Sequence, residues 1–563
     1  MIATYSFFNH FFQFARVSFL ATCICTSLTL PVIAETETSE TDLVAEMTKQ
    51  LVCYPLELLD INKNRPILAT RELCLAVIYH ERGAHPLWVS PEGPGEKAYV
   101  ILDHLKKSYE HGLDTSNYEI ERITELWHST QLTDLTELDA LLTYNLVKYF
   151  HDLSYGQLKP HEANPELFPE AGEENFDPIK AVELSLASED LDALLNLLPP
   201  QHQHYDNLKS ALTRYRQFSD LGDWPPIPPG MTLRPGENDT RVKLLRKRLE
   251  MSKDLPLPLL TPGEEVYDTE LEKAVIQFQK RHGLEPDGII GKQTLAALNV
   301  TAAERVDIIR LNMARWRWQA HDLGDKYVLV NIASFNLKAY KDGGANRILD
   351  IPVIVGKLQH QTPVFSDSIK YVDINPFWNI TPSIARDEEL PELRKNPYHL
   401  TERNIRLFSS WQHNAVELDS TKIDWHSVTK SQMSGYKLRQ DPGPGNALGK
   451  IKFVFPNNYS VYIHDTPTPN LFNHTQRDFS HGCIRVSDPF ALALFVLDDH
   501  KNNWTVEKVR EVYNQTSRKV IRLSDPLPVH ITYQTTWVDK DGTIHFNSDI
   551  YARDEELYKA LLK

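Results

Sequence analysis

The apolar residues of this chain change their period once along its length, and that change limits the folds open to it. From about Leu43 to Arg216 they recur at three and four positions, as in Ala98-Tyr-Val-Ile-Leu-Asp-His-Leu and Leu138-Asp-Ala-Leu-Leu-Thr-Tyr-Asn-Leu-Val-Lys-Tyr-Phe. That is the spacing of amphipathic helices. From Lys326 onward they alternate or run in short blocks, as in Tyr327-Val-Leu-Val-Asn-Ile, Ile351-Pro-Val-Ile-Val, Ile369-Lys-Tyr-Val-Asp-Ile, Lys452-Phe-Val-Phe and Ser460-Val-Tyr-Ile-His, which reads as strands. A helix-period pattern does not settle as a sheet. At 563 residues the chain is also too long for one ordinary core. The expected class is therefore multidomain α+β.

Punctuation divides the helical half. The run Trp224-Pro-Pro-Ile-Pro-Pro-Gly marks a boundary, because proline cannot continue a helix and stiffens the chain. It closes a helical domain expected over 35–225. A compact unit follows over 233–300, with helices around Arg241–Leu249, Asp268–His282 and Gly291–Asn299, and glycine turns between the last two. Residues 301–325 read as a connecting helix rich in Arg and Trp. The β-rich domain spans 326–525 and contains an insertion, at about 382–438, where strand patterns stop; insertions this long are usually functional. Residues 526–563 read as a hairpin, with Asp541-Gly542 at its tip, and a helix.

The first 34 residues read as an export signal: Arg16, then an apolar run from Val17, then Pro31-Val-Ile-Ala34 before acidic Glu35. Cleavage after Ala34 is the expectation, with an uncleaved anchor helix as the alternative. Removing the signal leaves Cys53, Cys74 and Cys483. In an oxidising compartment an odd count leaves one thiol over; pairing Cys53 with Cys74 leaves Cys483 free. A formal net charge of −16 argues against general binding to nucleic acid, whose phosphates need a basic face.

The surroundings of Cys483 carry the chemistry. The stretch runs from Val461-Tyr-Ile-His-Asp-Thr-Pro to Phe479-Ser-His-Gly-Cys-Ile-Arg-Val, with His464 at a strand end and Cys483 19 positions later. A thiol attacks as thiolate, so it needs an imidazole and positive surroundings. His464 and His481 offer two imidazoles, and Arg485 offers a charge. Gly482 lets backbone approach a substrate and aim N–H groups at a developing oxyanion. Spacing alone does not decide which imidazole takes the thiol proton. A zinc site from His464, His474, His481 and Cys483 matches no familiar ligand spacing, and Ser-His-Gly beside Arg is poor company for an inert core cysteine.

These residues resemble the L,D-transpeptidase catalytic domain, whose signature is a His, a variable spacer, then Ser/Thr-His-Gly-Cys, a hydrophobic residue and a polar one. Here those are His464, Ser480-His481-Gly482-Cys483, Ile484 and Arg485. The resemblance takes in Val355-Gly-Lys, Gln361-Thr-Pro-Val-Phe-Ser-Asp, Asn375-Pro-Phe-Trp-Asn-Ile-Thr-Pro-Ser-Ile-Ala and Arg439-Gln-Asp-Pro-Gly-Pro-Gly-Asn-Ala-Leu-Gly. Residues 236–299 resemble the three-helix peptidoglycan-binding domain in Val275-Ile-Gln-Phe-Gln-Lys-Arg-His-Gly-Leu-Glu-Pro-Asp-Gly-Ile-Ile-Gly-Lys-Gln-Thr-Leu. With its helical scaffold and its insertion, the chain looks like the large periplasmic Gram-negative type of this family.

The resemblance implies an all-α scaffold, a small binding domain and a β-rich catalytic domain with a capping insertion. It implies Cys483 as nucleophile, His464 as general base and acid oriented by the backbone carbonyl of Asp465, His481 beside the nucleophile, and the Gly482 and Cys483 N–H groups as oxyanion donors. Arg485 suits a substrate carboxylate, with a structural pair to a neighbouring acid as the alternative. Ser480, Tyr462 and Trp425 are candidates for substrate contact, with Trp411 and Trp425 filling the insertion's own core as the other reading. The implied reaction is 3→3 cross-linking of peptidoglycan stems in cell-wall biogenesis, from a tetrapeptide donor to a diamino-acid amine, in the periplasm. It needs no metal or cofactor, and it makes the thiol a carbapenem target. Other cell-wall synthesis proteins are the expected partners. Water as acceptor makes the enzyme an L,D-carboxypeptidase, and a lipoprotein lysine makes it an anchoring transpeptidase. A non-catalytic wall-binding protein is the alternative from another class.

Overall fold

The computed structural model describes residues 42–47, 78–80, 82–157, 176–256, 265–498 and 504–561. The export segment and the pairing of Cys53 with Cys74 lie outside the described residues. No helix among the described residues is long and apolar enough to cross a membrane.

The N-terminal unit is helical, built on Leu132–Tyr155. That helix buries Leu135, Leu138, Leu142, Leu146, Tyr149 and Leu153 on one side, and it stops at Gly156 with φ 86°. Among the polar residues it also buries, Asp139 is sealed in the core. The carboxylate accepts from the Trp88 amide at 2.7 Å, the Val89 amide at 3.0 Å and the Tyr79 hydroxyl at 2.5 Å. These donors offset the cost of burying a charge and tie the preceding segment to the helix.

The three-helix unit comprises Val242–Met251, Thr269–Arg281 and Lys292–Asn299 around Leu245, Leu271, Val275, Phe278 and Leu298. The proline-rich run before it is clamped rather than loose. Trp224 donates from Nε1 to the Val300 carbonyl at 3.1 Å, and the Arg248 guanidinium sits 3.7 Å over its ring.

Helix Ala302–Arg317 does more than connect. It opens on a Thr301/Glu304 capping box. Ile309, Met313 and Trp316 then pack with Tyr205, Leu208 and Leu212 of helix Gln203–Asp220, while Leu311 and Ala314 enter the core of the β-rich domain. Its cations are buried with partners. Arg315 pairs with Asp554 at 2.6 Å, Arg317 donates to the Tyr205 hydroxyl at 2.7 Å, and Arg305 lies 4.2 Å over the Phe546 ring.

The catalytic-type domain is a nine-stranded sheet among the described residues. Its order is Asp478–Ser480, Asn346–Gly356, Ile484–Val486, Ile463–His464, Ile451–Val454, Phe365–Ile374, Lys519–Thr532, Tyr327–Asn331 and Asn336–Lys341. The last strand pairs back to Asn346–Gly356, so the sheet closes on itself around a core that includes Val330, Val353, Val372, Phe453 and Ile484. Strand Lys519–Thr532 runs through the boundary expected at 525: it pairs antiparallel to Phe365–Ile374 and parallel to Tyr327–Asn331. The C-terminal hairpin is correspondingly shorter, Thr536–Val538 with Ile544–Phe546, followed by helix Arg553–Leu561.

The insertion is wider than 382–438 and is not strandless. Strands Trp378–Ile380, Lys437–Gln440, Ile405–Phe408 and Glu417–Leu418 form a sheet in that order, with a separate core that includes Ile380, Leu390, Leu407, Trp425, Met433 and Leu438.

Candidate active site

Strand pairing assembles the site. Lys452 stands opposite His464 in one ladder, and His464 beside Arg485 in the next. Paired positions present their side chains on the same face, so these three form a row across three adjacent strands, with Cys483 two positions before Arg485 in the chain.

The nucleophile's turn is held from within. The Ser480 hydroxyl donates to the Cys483 carbonyl at 2.6 Å and accepts from the Gly482 amide at 3.1 Å, while the Thr362 hydroxyl donates to the Gly482 carbonyl at 2.9 Å. Gly482 has φ 106°, a conformation L side chains rarely adopt. Two expectations change accordingly. Ser480 lines the Cys483 cavity but is buried, and its hydroxyl serves the turn rather than standing free. The Gly482 N–H is likewise spent on Ser480 Oγ. The Cys483 N–H, like that of His481, has no acceptor among the described residues.

His464 is 4% exposed. Its Nδ1 lies 2.6 Å from the Asp465 carbonyl oxygen, the partner that the resemblance implies. A carbonyl only accepts, so Nδ1 carries the proton and Nε2 of the neutral ring has a free lone pair. Burial, and then the Arg485 charge, push the ring's pKa down to about 3; the ring is neutral at pH 7. Burial pushes the Cys483 thiol up, while a hydrogen bond from the Tyr462 side chain and the charges of Lys452 and Arg485 pull the other way. Both groups therefore rest neutral, and the thiol's own hydrogen bond goes to the Ser460 carbonyl at 3.8 Å.

Arg485 has no carboxylate partner among the described residues, and its Nε is buried without a hydrogen bond. Lys452 Nζ lies 3.7 Å over the Tyr462 ring. Sequence analysis missed Lys452; its signal was the register that sets it opposite His464, which the sequence does not state.

Tyr462, His464, His481, Cys483 and Arg485 line one cavity of about 610 Å³, whose other wall belongs to the insertion through Ile384, Glu388 and Pro391. The insertion thus covers the site. A π-helical turn, Ala385–Glu389, presents Glu388 to His481 Nε2, and the His481 ring lies 5.1 Å from His360. His481 therefore bridges to the cap. Trp425 does not line this cavity: it is 2% exposed, donates to the Ser420 carbonyl at 2.8 Å and fills the cap's own core. His474 lies apart, against Phe479. Among the described residues no three His, Cys, Asp or Glu side chains converge as a metal set.

Residues 325–516 match the family described as "L,D-transpeptidase catalytic domain", residues 74–212 that described as "Scaffold domain", and residues 238–298 that described as "Putative peptidoglycan binding domain". A Haemophilus influenzae protein named "Putative L,D-transpeptidase" is 33% identical over 230 residues, which is 41% of this chain and 45% of that protein. This chain thus spans less than half of that relative's length. Among solved structures, an L,D-transpeptidase from Xylanimonas cellulosilytica is similar at 17% identity over 54% of this chain and 98% of its own, with TM-score 0.18. One from Mycobacterium smegmatis is similar at 12% identity over 37% and 58%, also with TM-score 0.18.

Proposed function

The chain carries an L,D-transpeptidase catalytic domain over residues 325–516, preceded by scaffold and peptidoglycan binding domains, and on that premise we propose that it cross-links peptidoglycan stems through a thioester on Cys483. The observation that supports this most is that one cavity is lined by a neutral His464, its Nδ1 proton held on the Asp465 carbonyl, by the Cys483 thiol and by an Arg485 without a carboxylate partner among the described residues.

His464 Nε2 takes the thiol proton as sulfur attacks the carbonyl of the third residue of a donor tetrapeptide. The Cys483 N–H and the nearby cations stabilise the oxyanion. As it collapses, the C–N bond breaks, the imidazolium gives its proton to the departing D-alanine amine, and a thioester remains. The amine of a neighbouring stem's diamino acid then attacks the thioester and the C–S bond breaks. The imidazole takes the amine's proton and returns it to sulfur, leaving a 3→3 cross-link. Arg485 holds a carboxylate of the donor. His481 acts on the cap through Glu388 rather than on the thiol. Such a substrate places the enzyme outside the cytoplasm, in keeping with the export signal read at its N-terminus.

Intact-protein mass spectrometry after incubation with a carbapenem tests the nucleophile: one adduct on the native chain and none on Cys483→Ala. An adduct on both removes Cys483 from the role. Products from purified disaccharide-tetrapeptide test the acceptor, since dimers mean transpeptidation and tripeptide alone means hydrolysis.

A further inference from the structure

A second cavity, of about 590 Å³, lies where the scaffold, helix Ala302–Arg317, strands Tyr327–Asn331 and Asn336–Lys341 and the C-terminal hairpin meet. It shares no lining residue with the Cys483 cavity. Its size is that of a small-molecule site, and its lining selects among ligands. Charge comes first. Lys338, Arg347 and Lys540 face Asp206, Asp342 and Asp539, three against three, and Asp539 is already paired with both Lys338 and Arg347. A strongly ionic ligand finds no excess charge here.

Amide groups come second. Six lining side chains are Asn or Gln. Gln534 is 2% exposed, and neither end of its amide has a hydrogen-bond partner among the described residues; Asn336 Oδ1, His202 Nε2 and Trp537 Nε1 are also buried and unpartnered. A buried polar group left without a partner is costly, so this cluster of donors and acceptors suits a polar guest. Rings come third: Trp316, Tyr340 and Trp537 line the same space, each stacked on one side by His204, Tyr327 and His545 respectively, and the apolar faces of sugar rings pack on aromatic side chains as other apolar surfaces do.

We infer that this cavity binds a neutral N-acetylated sugar, with an acetamido group meeting the Gln534 amide, donor to acceptor and acceptor to donor, and a pyranose face on Trp537. An acetamido group offers one N–H and one C=O, the complement of an unpartnered primary amide. That the sugar belongs to a wall glycan rests on the transpeptidase proposal; the preference for the acetamido group does not. In that setting the site holds a glycan strand on the body of the enzyme while its stem is processed at Cys483.

The test uses the full chain and N,N′-diacetylchitobiose, followed by saturation-transfer NMR and titration. The native chain is expected to bind it. Gln534→Leu, which keeps the volume but removes the amide, and Gln203→Trp, which fills the rim from an exposed helix position, are each expected to weaken binding about tenfold or more. Cellobiose, which lacks the acetamido groups, is expected to bind more weakly than the chitobiose. Undiminished binding by both variants places the sugar elsewhere, and equal binding of cellobiose removes the acetamido assignment; either overturns the proposal, as does no binding by the native chain. Carbapenem acylation of Cys483 in the same variants reports separately on the catalytic proposal and is expected to be unchanged.

Discussion

Two regions of this protein bury cations, and they do so on opposite terms. Along helix Ala302–Arg317 the chain supplies each guanidinium with company: Asp554 for Arg315, the Tyr205 hydroxyl for Arg317, the Phe546 ring for Arg305. Across strands Ile451–Val454, Ile463–His464 and Ile484–Val486, Lys452 and Arg485 flank His464 without an ion pair among the described residues, Arg485 with no carboxylate near it and Lys452 with Asp373 opposite it in the next ladder. Burial lowers the pKa of both Lys452 and Arg485, each against its ordinary value. A desolvated charge without a counter-charge is costly. The helix uses its cations to join domains. The strand row keeps its cations available, which is the arrangement expected where a substrate brings the negative charge.

The sharpest way to break this contrast is at its centre. His464→Gln keeps a polar side chain but removes the base, and we expect a loss of about 10²- to 10⁴-fold in acylation rate with the melting temperature nearly unchanged. A drop in melting temperature that accounts for the lost activity would make His464 a structural group like the arginines of the helix.

How far the sequence revealed each region follows from what each depends on. The Ser480-His481-Gly482-Cys483 turn and His464 were legible because their chemistry lies in residue type and short spacing. Lys452 was not, because its place beside His464 depends on ladder register. Trp425 stayed open between stacking on substrate and filling the insertion's own core: an aromatic in an insertion looks the same in both places, and only packing decides. The strands of the cap are two to four residues long with mixed polarity, too short for alternation to show. Helix Ala302–Arg317 was found but read as a connector, since its buried arginines have the composition of a solvated face.

The helix side of the contrast is tested by Asp554→Ala, which leaves Arg315 buried without its carboxylate. We expect a loss of about 3–5 kcal/mol in stability, seen as a lower denaturant midpoint with catalysis per folded molecule intact. On the strand side, Arg485→Met removes a cation that has no internal partner, so stability should hold or rise while kcat/KM for a tetrapeptide donor falls by about 2 kcal/mol or more, roughly 30-fold. Similar stability losses for the two variants would erase the distinction drawn between the regions.

Histidines extend the comparison to pH. Burial is the largest cause pushing His111 to about 2, His202 to about 3 and His204 to about 4, all near helix Ala302–Arg317, and His464 to about 3 in the site. With folded values below the ordinary 6.5, the unfolded chain binds more protons as pH falls from about 6.5 toward 4, so stability drops over that window and is greatest above it. Each group contributes about 1.4 kcal/mol per pH unit. Melting temperatures should fall from pH 7 to pH 5, and His111→Gln should flatten that slope. An unchanged slope means that His111 titrates freely in the folded state.

The smallest expected effect belongs to the cap. Trp425→Phe keeps an aromatic in the cap's core but leaves the Ser420 carbonyl without its Nε1 donor, a change of about 1 kcal/mol. Because the indole lines no part of the Cys483 cavity, KM for the donor should stay as it is, and any loss should appear as faster proteolysis or hydrogen exchange in the insertion. A raised KM with unchanged exchange would mean that the cap opens in solution and turns Trp425 toward substrate, and the cap would then belong with the strand row as a surface held ready for ligand rather than with the helix as a packed joint.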